Sequence, residues 1–320
     1  MKDIKKIVIA GAGTMGYSMA QIFAQNGYDV TLYNHKEETL KKAETNIKHN
    51  VETLVSTKEL NKEEAHTLLG HLDYTVDKDC FAHCDYIVET IVENLDIKLA
   101  FYKDITPMIP EETIICTNTS GLSINKLASA VKYPERFIGM HWFNPPHLIP
   151  LIEIIRGQNT TQEVVDTVYQ ISQKIGKKPV VVNKDVLGFA ANRIQLAVLR
   201  EALYMVEEGI VSPEGVDDVM KYGLGFRYAC LGPLETVDFG GIDTFEHISD
   251  YLMPDLCDSK EIPELLEKLY QNNELGVKTK KGFYDYSDGK DIEATKQRDE
   301  KLIKLYNALY IITENINEYL

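Results

Sequence analysis

The sequence predicts an α/β protein, with a doubly wound, largely parallel sheet followed by an all-α C-terminal domain. Three observations carry this expectation. A short apolar run ends in a glycine-rich turn that opens a helix. Further strand-length apolar runs recur as far as residue 182, several of them separated by helical patterns. Beyond residue 187, helical patterns and glycine turns replace the strands.

Each element has its own signal. Lys6-Ile7-Val8-Ile9-Ala10 is apolar and bounded by glycine, as a buried strand is. After the turn, Met19, Ala20, Ile22, Phe23 and Ala24 form a helical stripe that stops at Asn26-Gly27. Val30-Thr31-Leu32-Tyr33 is the next strand, which completes a unit of the size of a right-handed crossover. Leu40, Ala43, Ile47, Val51 and Leu54 lie at spacings of three and four, the pattern of an amphipathic helix. Asn61-Lys62-Glu63-Glu64 reads as the cap of a partner helix, and the two are expected to form an antiparallel hairpin. Strands are predicted at 86–88, 113–116, 137–140, 151–155 and 180–182. This alternation argues for a largely parallel sheet covered on both faces. A boundary at 183–188 divides a dinucleotide-binding domain, 1–185, from a helical domain, 186–320. The last stretch, 291–320, reads as a charged amphipathic helix with the stripe Leu302, Leu305, Leu309, Ile312 and Ile316.

Composition narrows the function. The 320 residues are 44% hydrophobic and 26% charged, a globular balance. No apolar run reaches the roughly 18 residues of a membrane span. The N-terminal apolar run is too short for a signal peptide, so a cytoplasmic protein is expected. With 49 acidic against 34 basic residues the net charge is −15, and there is no basic footprint for nucleic acid. A local pocket can still oppose that field and take a small anion. The five cysteines are irregularly spaced, which reads as reduced thiols with no metal site.

Two constellations carry chemistry. In Gly11-Ala12-Gly13-Thr14-Met15-Gly16 the first glycine permits the tight turn and the second lets backbone approach a pyrophosphate. The third lets helix and strand pack closely, with the helix N-terminus facing the phosphates. Strand before and helix after are the context of a Rossmann-type cofactor turn. The second strand ends in Asn34, where an acid usually meets the ribose 2′-hydroxyl. NAD is the expected cofactor, with NADP an alternative because Asn34 carries no charge and Lys36 is near. The second constellation is Asn118-Thr119-Ser120, His141 through Pro146, and Glu153. His141 is placed at the close of a strand, and a histidine oriented by a carboxylate is a competent general base.

The sequence resembles the 3-hydroxyacyl-CoA dehydrogenase family, which includes bacterial 3-hydroxybutyryl-CoA dehydrogenases. The matching pieces are the Gly11–Gly16 turn, Val88 through Leu95, Thr117 through Ser120, and His141 through Pro145. Leu187 through Arg193, Gly232 through Glu235 and Lys281 through Tyr286 complete the set. The resemblance implies an oxidoreductase of fatty acid metabolism acting on a small molecule, a short-chain acyl-CoA. It implies that His141 is the general base, that Glu153 orients it, and that Ser120 and Asn192 hold the reacting oxygen. It places Gly11, Gly13, Thr14, Met15, Gly16, Asn34, Glu93, Lys98, Ser120, Asn144 and Lys278 near the cofactor. For Lys98 and Lys278 the plainer alternative is a surface lysine, and for Ser120 a helix cap beside Ser123. A homodimer through the helical domain is also implied.

Two departures bear on the substrate. Where the acyl-CoA enzymes carry a serine and basic residues toward CoA, this chain reads Asn50 through Lys58 with Glu52 among them. Ile149-Pro150-Leu151 and Leu224 through Ala229 look more like the lambda-crystallin and L-gulonate dehydrogenase branch, which acts on a free hydroxy acid. There Arg227 is a candidate partner for a substrate carboxylate, against a bracing role in the helical domain. That branch also leaves open a nucleotide-binding protein without turnover.

Overall fold

Eight strands form one sheet in the order β3-β2-β1-β4-β5-β6-β7-β8 in the computed structural model, which describes residues 4–311. They are β1 (Lys6–Ala10), β2 (Asp29–Tyr33), β3 (Leu72–Thr75), β4 (Tyr86–Glu89), β5 (Ile114–Thr117), β6 (Phe137–Trp142), β7 (Leu151–Ile155) and β8 (Lys178–Val182). Every neighbouring pair is parallel except β6 with β7. The helices among them are α1 (Thr14–Gln25), α2 (Glu37–Ser56), α3 (Lys62–Gly70), α4 (Leu95–Ile105), α5 (Ile124–Ala128) and α6 (Gln162–Lys174). The Rossmann-type expectation holds. β3 is a strand that the sequence reading lacks. It is a four-residue edge strand with only Leu72 buried, and Asp73 interrupts any apolar run. β6 also runs two residues past the expected 137–140, so His141 lies inside it rather than closing it.

Alternation along β1 builds the core. Ile7 and Ile9 join Met19, Phe23 and Leu32 on one face, while Val8 and Ala10 join Ile87, Tyr102 and Phe137 on the other. Burying each of the Val, Ile, Leu, Met and Phe side chains contributes about 1.5–3 kcal/mol. Helix starts follow their caps. Asn61 and Glu64 close a capping box on α3, and Asn94, Ser123 and Thr161 cap α4, α5 and α6. The chain divides into two compact units, one ending at Arg193 and one starting at Ile194. The division falls in the first turn of α7 (Ala191–Glu207). The second unit is helical: α8 (Pro213–Val219), α9 (Gly225–Tyr228), α10 (Pro233–Gly240), α11 (Ile242–Leu252), α12 (Glu264–Gln271) and α13 (Lys290–Tyr306). Of the expected C-terminal stripe, Ile312 and Ile316 lie outside the described residues.

The glycine turn between β1 and α1 is built by close approach. Gly11 adopts φ +116, and a Cβ there would sit 2.5 Å from the Thr90 carbonyl oxygen. A Cβ on Gly16 would sit 1.7 Å from the Gly11 oxygen, whereas one on Gly13 meets nothing within 4 Å. Gly16→Ala is therefore expected to destabilise the fold by about 3 kcal/mol or more. Gly13→Ala should stay within about 1 kcal/mol of wild type. Urea melts of the two variants check this contrast, and equal losses would contradict it.

Candidate active site

The parallel strands β1, β2, β4, β5 and β6 end on one edge of the sheet. The strand order reverses between β1 and β4, the kind of crevice where doubly wound sheets bind ligands. The α1 N-terminus lies at this edge. Gly13 is its N-cap, no side chain caps it, and its first turn carries no acid. Its unsatisfied N–H groups and the open space before Gly13 fit a dinucleotide pyrophosphate, as does the positive end of the helix dipole. At the end of β2, Asn34 donates from Nδ2 to the Lys36 carbonyl at 3.2 Å.

His141 and Glu153 are directly opposed residues of the antiparallel β6–β7 pair. Such pairs hold their Cβ atoms roughly 5 Å apart, so strand register alone brings the two side chains together. His141 Nδ1 lies 2.8 Å from Glu153 Oε2, and both residues are buried. Burial alone would raise the Glu153 pKa. Hydrogen bonds from His141 and from the N–H groups of Ala191 and Ala190 outweigh it and hold the carboxyl below its ordinary value. An ionised carboxylate only accepts, so Nδ1 carries the proton and Nε2 keeps the basic lone pair. The rings of Phe143 and Phe189 flank the imidazole at centroid distances of 4.3 and 5.8 Å.

Glu153 also ties the start of α7 to the dyad. Its Oε1 accepts from Ala190 N at 2.9 Å and Ala191 N at 2.8 Å. The next residue, Asn192, donates from Nδ2 to the Ser120 carbonyl at 2.7 Å. Ser120 N and the Thr119 hydroxyl donate to Glu93 Oε1, at 2.8 and 2.5 Å, and Glu93 Oε2 lies 3.6 Å from Lys98 Nζ. Through these bonds and the Ala190–Asn192 backbone, His141, Glu153, Asn192, Ser120, Glu93 and Lys98 form one connected set. Ser123, not Ser120, caps the following helix, which leaves Ser120 free of that duty.

Lys98 is not a surface lysine. It is fully buried with its Nζ 2.6 Å from Glu89 Oε1, and Glu89 is equally buried. Glu89 also accepts from Ile91 N at 2.7 Å, the Tyr102 hydroxyl at 2.5 Å and the Thr117 hydroxyl at 2.8 Å. Sequence reasoning passed over Glu89. The available signal was an acid ending the otherwise apolar strand Tyr86-Ile87-Val88-Glu89. Asn118 bridges the strand ends, accepting from Trp142 N at 3.0 Å and donating to the Thr90 hydroxyl at 3.3 Å. Asn144 lies exposed in the loop after β6, and Arg227 and Lys278 are exposed on the helical unit. Asn144 does not enter the contact set described above.

Two family models match the chain. The NAD-binding domain of 3-hydroxyacyl-CoA dehydrogenase covers residues 6–186, and the C-terminal domain of the same enzyme covers residues 188–286. The 5-formyl-3-hydroxy-2-methylpyridine 4-carboxylate 5-dehydrogenase of Mesorhizobium japonicum is 35% identical, over 96% of this chain and 98% of its own length. A probable 3-hydroxybutyryl-CoA dehydrogenase of Deinococcus radiodurans is 39% identical, over 88% of this chain and all of its own. Among solved structures, a 5-formyl-3-hydroxy-2-methylpyridine 4-carboxylic acid 5-dehydrogenase, described as an NAD+-dependent dismutase, superposes with a TM-score of 0.88. It is 33% identical and covers 96% of this chain and 99% of its own. The (S)-3-hydroxybutyryl-CoA dehydrogenase of Ralstonia eutropha gives 0.76 at 33% identity, covering 89% of this chain and all of its own. The chain is an oxidoreductase with an NAD-binding Rossmann domain, and it belongs to the 3-hydroxyacyl-CoA dehydrogenase family.

Proposed function

We propose that this protein interconverts a secondary hydroxyl and a carbonyl with His141 as general base, and that its substrate is a short-chain 3-hydroxyacyl-CoA. The observation that carries the reading is the His141–Glu153 pair, which leaves Nε2 as the free basic nitrogen. In the oxidation direction Nε2 takes the hydroxyl proton, and Glu153 balances the imidazolium that forms. Ser120 and Asn192 hold the reacting oxygen with donors that stabilise its developing alkoxide charge. The cofactor supplies the hydride chemistry. Gly13 and the first turn of α1 hold its phosphates, and Asn34 meets the adenosine ribose with NAD favoured over NADP. Lys98, Glu93, Asn144 and Lys278 complete the cofactor side, by resemblance.

A second substrate reading, a small free carboxylic acid, rests on a specific observation. Likeness to the pyridine-carboxylate dehydrogenase runs over 96% of the chain, while the 3-hydroxybutyryl-CoA dehydrogenases reach 88–90%. Glu52 is exposed on α2, an adverse neighbour for CoA phosphates, and Arg227 is exposed and available to a carboxylate.

We also propose a homodimer through the helical unit. Leu203 is the only hydrophobic side chain of that unit buried among the described residues. Leu234 and Phe239 are 80% exposed and Phe226 is 74% exposed. Monomeric proteins rarely leave apolar surface of this kind uncovered.

Initial rates with acetoacetyl-CoA, run with NADH and NADPH in parallel, are expected to be rapid with NADH. No rate with either cofactor, while NADH binds, would transfer the reading to a free acid. Arg227→Lys should then raise the KM for that acid. His141→Gln should lower kcat by about 10²–10⁴, and near-normal turnover would reject the base assignment. Gly13→Ala should abolish NADH binding while leaving the fold intact. Light scattering at micromolar concentration should give twice the chain mass, and a monomer mass would exclude the dimer.

A further inference from the structure

The helix α6 ends in a way that aims one lysine inward. Gly176 adopts φ +76, with its N–H donating to the Gln173 carbonyl at 3.0 Å and the Lys177 N–H to the Ser172 carbonyl at 2.9 Å. This is the Schellman arrangement, and Lys177 is the residue that closes it. Its side chain is buried, 7% exposed. The ammonium donates to the Pro146 carbonyl at 2.5 Å and to the Ile149 carbonyl at 2.8 Å. It also lies 5.4 Å from the centre of the Trp142 ring. Both carbonyls belong to the connection between β6 and β7. That connection leaves β6 directly after His141-Trp142, carries Asn144, and returns to β7 two residues before Glu153 pairs across the sheet.

We propose that Lys177 is a positioning residue for the reaction: its ammonium clasps the 146–149 turn and so fixes the connection that links the two strands of the His141–Glu153 pair. The proposal rests on the reading of that pair as the catalytic base. The clasp differs from an ordinary buried charge in having no carboxylate among its contacts. Two neutral carbonyls and an aromatic face are its hydrogen-bond and cation–π partners. Losing the proton therefore costs the clasp its charge assistance, and a neutral amine donor is roughly half as strong. His147 lies in the held turn and Lys174 and Lys178 flank Lys177 in the chain; α6 also carries Glu163, Asp166 and Tyr169, while β6 and β7 carry His141 and Glu153. Lys174 is turned onto the Tyr28 ring at 4.4 Å. Burial pushes the Lys177 pKa down to about 8, with no charge–charge contribution. The sign follows: the clasp is charged below pH 8 and loosens as the pH rises through that value.

The chain contains a single tryptophan, and it is the residue beneath this ammonium. Trp142 emission is therefore a direct reporter that needs neither substrate nor cofactor. In the full-length protein, titrated from about pH 6 to 9.5, below the range of ordinary tyrosines, emission should change with a midpoint near pH 8. The step should vanish in Lys177→Met and in Lys177→Arg, whose guanidinium stays charged across this range. At neutral pH, Lys177→Met should lower kcat/KM by about tenfold or more through misplacement of the pair. Wild-type kcat/KM should also fall above pH 8, and that limb should be absent in Lys177→Arg. Absence of a step in wild type, or its persistence in both variants, would overturn the titration. A folded Lys177→Met with wild-type kcat/KM and pH profile would overturn the positioning role. If Lys177→Met does not fold, Lys177→Arg carries both readouts. The base assignment fails separately, through a His141→Gln variant that retains turnover while the tryptophan step stands.

Discussion

Glu153 is the constraint on which the site depends. Its two oxygens have two separate duties. One fixes the tautomer of His141, and the other accepts the N–H groups of Ala190 and Ala191. The first duty sets which imidazole nitrogen is basic. The second holds the segment that carries Asn192 toward Ser120. Phe189, in that segment, has a φ of +51, a conformation that costs a residue with a Cβ about 1–3 kcal/mol. The geometry repays this locally, since the same turn buries its ring against His141 and presents the next two N–H groups to Glu153. The antiparallel β6–β7 pairing underlies all of it. A one-residue slip in register would turn Glu153 to the opposite face.

The second anchor is the buried Glu89–Lys98 pair. Desolvating two charges is unfavourable, and such a pair holds only where its remaining hydrogen bonds are made. Here they are: Glu89 takes four donors from the 89–91 turn, α4 and β5. Removing one partner would strand the other at a cost of about 3–5 kcal/mol. The arrangement fixes where β4, β5 and α4 meet at the sheet edge. From there Glu93 and Lys98 extend the order to Ser120. The ends of β4 and β5 at this edge are thus joined by charged groups rather than by apolar packing alone.

Local patterns that depend on neighbouring residues were legible in the sequence. The Gly11–Gly16 turn, the stripe of α1 and the Asn61–Glu64 capping box each involve residues within one or two turns, and each stands as expected. β3 was not legible, because a half-exposed edge strand with Asp73 inside it has no apolar run to announce it. His141 and Glu153 were visible as residue types, but their contact depends on an antiparallel register that spacing alone does not set. Glu89 and Lys177 were hidden for a related reason. A charged side chain in a sequence reads as solvated, and only the tertiary fold shows that both are buried.

Substrate identity lies beyond these contacts for a chemical reason. In the reaction proposed above, His141, Glu153, Ser120 and Asn192 address one oxygen, its proton and the carbon that bears the hydride. None of them reads what that carbon is attached to. A CoA thioester and an aromatic carboxylate place the same hydroxyl–carbonyl pair before such a base, and they differ only in the remainder of the molecule. In the proposed reaction, discrimination therefore comes from groups outside this set. Glu52 and Arg227 are the residues proposed above for that role: an acid disfavours phosphate charge placed beside it, and a guanidinium favours a carboxylate placed beside it. In the proposed reaction the same constellation can therefore serve either substrate class, with the choice resting on residues outside it.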